Sequence, residues 1–401
     1  MAAQFFSALA DNALLFAAIA LLKEVHAPSW HTPILQSFFV FSYVVLAPFV
    51  GAFADSLPKG RVMLISNTIK FFGCLAMLLG VNPLVAYGLV GLGAAAYSPA
   101  KYGILTELLP HEKLVLANGW IEGLTVAAIV LGGGVSAVLI NPAVALNMLQ
   151  LWDLPFIETG IDTAPELAIT IISLLYLVAA AFNIYIPRLP IDHKPFSRNP
   201  LALLKDFLHC FWLLWRDPLG QVSLAVTTLF WGSGATLRLI VLAWAAVALN
   251  YSASKAILLT VYVALGIAVG AILAAKCVKM DKAVKVLPVG IAMGLMVLVM
   301  IPVSNPPLAI GLLFIIGLMG GFFVVPMNAL LQHRGHLLMG AGSSIAVQNF
   351  NENLSIFIML GLYSLLEWQG VGIYNIIAVF GLMLAIIMGI LFRTHGRDKY
   401  I

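Results

Sequence analysis

The chain has 401 residues, of which 62% are hydrophobic and only 9% are charged, with a formal net charge of +4 and a mean hydropathy of +1.03. An ordinary soluble domain is about 25% charged, so these charges could not cover a water-soluble globule of this length. The composition excludes a soluble enzyme, a secreted disulfide scaffold, a nucleic-acid-binding domain and a disordered protein, and it indicates a polytopic membrane protein.

Twelve apolar segments are long enough to cross about 30 Å of hydrocarbon, which takes roughly 20 helical residues each. The sequence therefore predicts an all-α polytopic membrane protein with twelve transmembrane helices. The predicted spans are 2–22, 33–54, 61–80, 84–106, 114–140, 166–187, 218–248, 254–276, 285–302, 306–330, 340–366 and 370–392. We expect no signal peptide before the first span, because residues 1–10 have no basic region and only a short apolar run.

Basic residues are concentrated in alternate loops between the predicted spans. The opposite loops contain only Lys23 and Lys255, and three further basic residues fall inside spans. Because cytoplasmic loops have the excess of lysine and arginine, both termini are predicted to be cytoplasmic. Sixteen of the 21 basic residues form the predicted cytoplasmic set: Lys59, Arg61, Lys113, Arg188, Lys194, Arg198, Lys205, Arg216, Lys276, Lys279, Lys282, Lys285, Arg334, Arg393, Arg397 and Lys399.

The longest predicted cytoplasmic connection divides the chain into two sets of six spans. We therefore predict an N-terminal half at 1–187, a linker at 188–217 and a C-terminal half at 218–401. Apolar residues recur at helical spacing in the linker, at Leu201, Leu204, Leu208, Phe211 and Trp215. This pattern favours an amphipathic helix on the inner membrane surface over a packed cytosolic helix.

The two halves share features in corresponding spans. Span four begins at Asn82-Pro83 and contains Pro99, and span ten begins at Asn305-Pro306 and contains Pro326. Such paired, proline-interrupted segments indicate a duplicated six-helix unit and are typical of transporters.

The loop after span two has the most specific motif. Residues 51–61 read Gly-Ala-Phe-Ala-Asp-Ser-Leu-Pro-Lys-Gly-Arg and resemble the G-x-x-x-D-x-x-G-R signature of the major facilitator superfamily, with one extra residue. The resemblance implies that superfamily's fold, with two six-helix halves, and a gating role for Gly51, Asp55 and Arg61. Asp55 would act as a latch, accepting hydrogen bonds from helix N-termini or a basic residue. An ordinary positively charged turn is the alternative.

Several charged and amide side chains fall inside the predicted spans, where a charge costs at least a few kcal/mol and marks a candidate functional site. The candidates for substrate contact are Asp11, Asn12, Lys101, Glu122, Arg238, Gln348, Asn349 and Glu352. In the fold that the motif implies, spans one, four, seven and ten line the central cavity, and spans two, five, eight and eleven flank its lateral openings. The alternative is that Asp11, Arg238 and Glu352 form a buried ion network that only holds the halves together. Lys70, in span three, is assigned to no site.

The chemistry of these candidates suits a ligand with charges of both signs. Arg238 can bind a phosphate with two hydrogen bonds, and Asp11 and Glu352 can accept from an amine. The sequence has no nucleotide-binding loop, metal-ligand spacing or nucleophile elbow, and its three cysteines have no CxxC spacing. We therefore predict no catalytic residue, no metal and no cofactor.

Four segments resemble a narrower family, the lysophospholipid transporters of Gram-negative inner membranes. They are residues 7–16, residues 93–107, residues 117–122 and residues 183–189. The resemblance implies movement of lysophosphatidylethanolamine and lysophosphatidylglycerol from the outer to the inner leaflet, with lateral lipid entry. It also implies re-acylation by an acyltransferase/acyl-carrier-protein synthetase on the cytoplasmic side. It places headgroup contacts on Asp11, Asn12, Arg238 and Glu352, and secondary contacts on Lys101 and Glu122. We expect a monomer that binds membrane lipid and no nucleic acid.

Two other functions remain open. A proton-coupled exporter of amphipathic drugs or metabolites could use Asp11, Glu122 and Glu352 as proton carriers. An integral-membrane acyltransferase or hydrolase would need an acid/base pair at one interface. The nearest such pair, Asp192-His193, has proline neighbours and is typical of a solvated turn.

Overall fold

The computed structural model describes residues 1–27, 31–152, 161–187, 199–251 and 253–395. These residues form fourteen α-helices and two short 3-10 helices, His111–Lys113 and Met280–Val286, and they contain no β-strand. The α-helices are α1 (Ala2–Glu24), α2 (His31–Ser56), α3 (Lys59–Leu78), α4 (Pro83–Leu108), α5 (Leu114–Leu139), α6 (Pro142–Trp152), α7 (Ala164–Ile184), α8 (Pro200–Arg216), α9 (Pro218–Ala248), α10 (Ala253–Cys277), α11 (Leu287–Leu298), α12 (Pro306–Met339), α13 (Ala341–Trp368) and α14 (Ile373–His395). The predicted all-α class is confirmed, and a helix lies at each of the twelve predicted spans.

Within these ranges, nine helices are long and apolar enough to cross a membrane by length and composition alone. The helices at predicted spans four, nine and eleven are not among them. The helix at span nine, α11, has only 12 residues. The helix at span eleven, α13, contains a cluster of amide and carboxylate side chains at Gln348, Asn349, Asn351, Glu352 and Asn353. A hydropathy criterion alone therefore misses helices whose polar residues are themselves functional candidates.

Two helices differ from the sequence prediction. No span is predicted between residues 140 and 166, but α6 occupies Pro142–Trp152. Proline favours the first turn of a helix, and the segment after it is rich in alanine and leucine, so a short helix forms there. Helix α12 continues past the predicted end of span ten at 330 and stops at Gly340, whose φ of 101° ends the helix. The Asp192-His193 pair lies outside the described residues.

Polar caps fix the starts of several helices. The Thr163 side chain accepts from the backbone N–H of Glu166, whose side chain accepts from the backbone N–H of Thr163, so α7 begins with a capping box. Asp217 caps α9 by accepting from the backbone N–H of Gly220 at 2.8 Å. Asn82 accepts from the backbone N–H of Leu84 at 2.9 Å, where α4 begins. Side-chain oxygens therefore accept from otherwise unpaired backbone N–H groups at the starts of α4, α7 and α9.

The chain forms two compact units. Unit 1 comprises Met1–Ile104 and Ala127–Phe207, and unit 2 comprises Leu105–Val126 and Leu208–Ile401. In unit 1, α1 and α3 both pack against α7. In unit 2, α10 packs against α12, α11 against α14 and α13 against α9. The first part of α5 thus belongs to unit 2, whereas the halves predicted from sequence place all of α5 in the first half.

Glycines allow the closest helix packing in unit 2, between α10 and α12. Gly266 and Gly270 lie one turn apart on α10, and Gly317 and Gly321 lie one turn apart on α12. A Cβ atom at any of the four would overlap a backbone carbonyl oxygen of the facing helix. This pairing of small residues is a common way for membrane helices to pack without a hydrophobic driving force.

Candidate functional site

Asp11 and Lys70 form an ion pair inside unit 1. The Nζ atom of Lys70, on α3, lies 2.8 Å from Oδ2 of Asp11, on α1. The side chain of Lys70 is 1% exposed and that of Asp11 is 24% exposed. Asp11, a predicted headgroup contact, therefore has a buried lysine partner that sequence reasoning assigned to no site.

Further hydrogen bonds and two aromatic rings hold the members of this pair in place. The hydroxyl group of Tyr176, on α7, donates to Oδ1 of Asp11 at 2.7 Å. Lys70 also donates to Oγ of Ser7 at 3.0 Å, and Ser7 donates in turn to Oδ1 of Asn67 at 2.8 Å. The ammonium group lies 4.8 Å from the ring centroid of Tyr97 and 5.4 Å from that of Tyr176. These contacts satisfy a buried ion pair that would otherwise be costly.

Two glycines make room for this group of side chains. A Cβ atom at Gly93, on α4, would lie 2.7 Å from Cγ of Lys70. A Cβ atom at Gly132, on α5, would lie 2.9 Å from Cβ of Asn12. Asn12 itself donates to the carbonyl oxygen of Ala8 at 2.8 Å, so its amide is partly engaged within α1. Glycines on α4 and α5 therefore allow these helices to lie close to α3 and α1, respectively.

The motif that follows span two forms a second ion pair in unit 1. Asp55, near the end of α2, accepts from Nζ of Lys59 at 3.0 Å, and the same ammonium donates to the carbonyl oxygen of Ala54 at 2.7 Å. Lys59 is buried although it begins α3. Gly51 is buried and Arg61 is exposed. A basic residue does therefore contact Asp55, but it is Lys59 rather than Arg61.

Lys101 lies on α4 and is half-buried. Its Nζ atom lies 4.0 Å from the ring centroid of its neighbour Tyr102. This cation–π contact keeps the ammonium close to an aromatic face in an apolar helix.

A chain of amides links two buried carboxylates in unit 2. Asn328, on α12, donates to Oε1 of Glu122, on α5, at 3.5 Å. Gln348, on α13, donates to Oδ1 of Asn328 at 3.0 Å and to Oε1 of Glu352 at 2.7 Å. All four side chains are less than 10% exposed. The predicted residues Glu122, Gln348 and Glu352 are thus brought together by Asn328, which was not predicted.

A neighbouring amide pair joins the same helices. Asn118 and Gln332 exchange two hydrogen bonds, at 2.9 Å and 2.8 Å, and are 0% and 1% exposed. Gln332 and Asn328 are one turn apart on α12, so they face the same side. The polar side of α12 therefore meets α5 in two places.

Arg238 and Asn349 complete the predicted set in unit 2. Arg238, on α9, is exposed and has no carboxylate within 4 Å among the described residues. Its guanidinium is therefore available to an anionic ligand. Asn349 is buried, and its carbonyl oxygen accepts from the side chain of Asn353 at 2.8 Å.

Asp217 and Arg334 form an ion pair between the start of α9 and the last turns of α12. The guanidinium donates two hydrogen bonds, one of them from Nε to Oδ2 at 3.0 Å and the other to Oδ1. Burial raises the pKa of Asp217, but the hydrogen bonds from Arg334 and from the backbone of Gly220 outweigh it and lower the pKa below its ordinary value. The pair therefore fastens α12 to α9 at ordinary pH.

Sequence reasoning did not predict several residues that form hydrogen bonds or ion pairs around the predicted site residues. Lys70, Tyr176, Ser7, Asn328 and Gln332 were not predicted as site residues. A signal existed for the two residues on α12, since a polar pair with i, i+4 spacing in an apolar helix marks one face. A signal also existed for Lys70, since a buried charge needs a partner. Tyr176 had no such signal. Within the described ranges, no group of three or more His, Cys, Asp or Glu side chains could hold a metal ion.

Comparisons with known proteins show which family the chain is similar to. A family model described as Major Facilitator Superfamily matches residues 1–359. The lysophospholipid transporter LplT of Yersinia enterocolitica is 46% identical over 372 residues, which cover 92% of this chain and 87% of that protein. The lysophospholipid transporter LplT of Yersinia pestis (strain Pestoides F) is 46% identical over 371 residues, which cover 92% of this chain and 86% of that protein.

Solved structures show the same fold at low sequence identity. A bacterial homologue of the iron transporter ferroportin, in an outward-facing state, has a TM-score of 0.71 at 15% identity, with 98% of this chain and 97% of that chain covered. The transporter FucP, in the outward conformation, has a TM-score of 0.69 at 13% identity, with 97% of this chain and 98% of that chain covered. At such identities the likeness concerns the fold alone.

Proposed function

Because the chain belongs to the major facilitator superfamily and, within it, to the lysophospholipid transporters, we propose that it moves lysophospholipids from the outer to the inner leaflet of a bacterial inner membrane. The observation that supports this most strongly is the 46% identity to such transporters over 92% of the chain. The substrates are lysophosphatidylethanolamine and lysophosphatidylglycerol. The lipid leaves the protein chemically unchanged, so the protein is a transporter and not an enzyme.

The headgroup is the part of the lipid that must be separated from the hydrocarbon during transport. We assign headgroup contacts to Asp11 and Asn12 in unit 1 and to Arg238 and Glu352 in unit 2. The exposed guanidinium of Arg238 suits the phosphate, which every lysophospholipid has. The acyl chain needs no polar partner and stays in contact with apolar helix surfaces and lipid, which allows lateral entry.

Secondary contacts and gating complete the assignment. Lys101 in unit 1 and Glu122, Gln348 and Asn349 in unit 2 contact the substrate or orient the residues that do. Gly51, Asp55 and Arg61 act in gating by alternating access. The hydrogen bond from Lys59 to Asp55 supports a latch that opens and closes during the cycle.

Charge and chemistry support the proposed location and partners. The excess of Lys and Arg in alternate loops supports cytoplasmic termini. A lysophospholipid delivered to the inner leaflet lacks one acyl chain, so an acyltransferase/acyl-carrier-protein synthetase on that side would consume it. The transporter acts as a monomer and binds membrane lipid.

Complementation in cells tests this proposal. A strain without its own lysophospholipid transporter, but with its acyltransferase, is given external radiolabelled lysophosphatidylethanolamine. Expression of this chain is expected to restore labelled phosphatidylethanolamine, because the lysolipid then reaches the inner leaflet. A matched strain without the acyltransferase should accumulate the label as lysolipid. No restoration, at normal membrane expression, would argue against the proposal.

A proton-coupled exporter of amphipathic drugs or metabolites is the second candidate. The buried carboxylates of Glu122 and Glu352, bridged by neutral amides, favour it because such groups can exchange protons. The two candidates differ in their energy requirement. Lysolipid uptake that continues after the proton gradient is collapsed supports the first, and a strict requirement for the gradient supports the second.

A further inference from the structure

Lys70 is almost completely enclosed by protein, whereas its partner Asp11 is not. The lysine side chain is 1% exposed, and the aspartate side chain is 24% exposed. The carboxylate can therefore be reached by a ligand, while the ammonium group lies behind it. Gly93 on α4 leaves the space that the lysine methylenes occupy.

The exposed carboxylate does not act as a free negative charge. Lys70 lies 2.8 Å from one oxygen and Tyr176 donates to the other at 2.7 Å. At this separation the two opposite charges largely cancel for a ligand that approaches Asp11 from the other side. An approaching headgroup thus meets a neutral pair.

We propose that Lys70 sets the headgroup charge selectivity of the transporter, by neutralising Asp11 so that zwitterionic and anionic lysophospholipids are both accepted. This inference rests on the proposed function. Without Lys70, the carboxylate would attract the amine of lysophosphatidylethanolamine and repel lysophosphatidylglycerol, which has a net negative charge. Without Asp11, the lysine would have the opposite effect. Lys70 acts through Asp11 and is a positioning residue.

A purely structural pair would behave differently. If Lys70 and Asp11 only held α1 and α3 together, losing either residue would slow both lipids by the same factor. The ratio of the two transport rates therefore separates selectivity from stability. It also corrects for differences in the amount of folded protein.

The experiment measures the ratio of lysophosphatidylethanolamine to lysophosphatidylglycerol transport in proteoliposomes at pH 8. Lys70→Met is expected to raise this ratio at least about fivefold, and Asp11→Asn to lower it at least about fivefold. The double variant Asp11→Asn/Lys70→Met should return the ratio to within about twofold of wild type, because the pair is again neutral. Lys70→Arg, which keeps the charge, should leave the ratio unchanged even if the rate falls.

Lys59→Met is the matched control, since it removes another buried lysine of α3 that pairs with an aspartate. It is expected to leave the ratio as in wild type, whatever its effect on the overall rate. Equal ratios in wild type, Lys70→Met and Asp11→Asn would overturn the inference and leave the proposed function standing. Wild-type protein that moves neither lipid would overturn both.

Discussion

Asn118 and Gln332 exchange two hydrogen bonds between their side-chain amides, at 2.9 Å and 2.8 Å. The pair joins α5 to α12 within unit 2, and both side chains are buried. Glu122 and Asn328 form a second contact between the same helices, one turn later in α5 and one turn earlier in α12. The first part of α5 is therefore fastened to α12 by polar contacts in an otherwise apolar environment.

Breaking the amide pair should destabilise the protein. Asn118→Leu leaves the amide of Gln332 buried without its partner, and such a loss costs about 1–3 kcal/mol. Thermal unfolding of the purified protein in detergent measures the effect. Asn118→Leu/Gln332→Leu should be less destabilised than the sum of the single variants, since neither amide is then left unsatisfied.

Asn353→Leu is the control for this comparison. Among the described residues, its side chain donates to the carbonyl oxygen of Asn349 alone, within α13. We expect a smaller loss of stability than for Asn118→Leu. Equal losses in the two variants would contradict a role for the Asn118–Gln332 pair between helices.

Two glycine-to-alanine substitutions on α12 should differ in their effect on stability, because one glycine contacts a facing helix and the other does not. At Gly317, an added Cβ atom would overlap the carbonyl oxygen of Val263, on α10. Overpacking of this kind costs about 1–3 kcal/mol, so Gly317→Ala should lower the unfolding temperature. At Gly311, on the same helix, a Cβ atom would meet nothing within 4 Å. Gly311→Ala should therefore change stability by less than about 1 kcal/mol, and a similar loss in both would exclude the packing explanation.

The Asp217–Arg334 pair predicts a pH dependence with a defined sign. The pKa of Asp217 is lowered from its ordinary value of 3.8, so its contribution to stability is complete above that value and is lost as the pH falls through the lowered pKa. Asp217→Asn should reduce stability by less than about 1 kcal/mol at pH 7, because Arg334 is partly exposed. The difference from wild type should stay constant from pH 8 to 5 and shrink below pH 3.8. A difference that grows with acidification would contradict the ion pair.

Neutralising the assigned headgroup contacts of unit 2 should reduce transport without unfolding the protein. Arg238→Gln removes an exposed cation that has no carboxylate partner in the part of the chain that the structure describes, so stability should hardly change while lysolipid transport falls at least about tenfold. Glu352→Gln keeps the size of a buried side chain and should also reduce transport. Leu239→Ala, at the next position of α9, is the control and should transport normally. Full transport by Arg238→Gln, at equal membrane expression, would remove Arg238 from the assignment.

The sequence predicts the helices better than their contacts. Apolar length locates a helix at each of the twelve predicted spans, because the bilayer requires it. Polar residues in those spans also identify Asp11, Glu122, Gln348 and Glu352, which the structure finds among buried or partly buried polar groups. Hydrophobic periodicity cannot show which helices face each other, so the Lys70 partner of Asp11, 59 residues away, was missed. Tyr176 was missed because its hydroxyl matters only through its position beside Asp11.

The central claim is that this chain alone moves intact lysophospholipid across a bilayer, and a measurement on the purified protein tests it most directly. Proteoliposomes with fluorescent lysophosphatidylethanolamine in the outer leaflet are treated with albumin at intervals, and the lipid that can no longer be extracted is quantified without any ion gradient. We predict protected, chemically unchanged lipid that accumulates faster than in protein-free vesicles. Lipid that stays fully extractable over the same period would contradict the account.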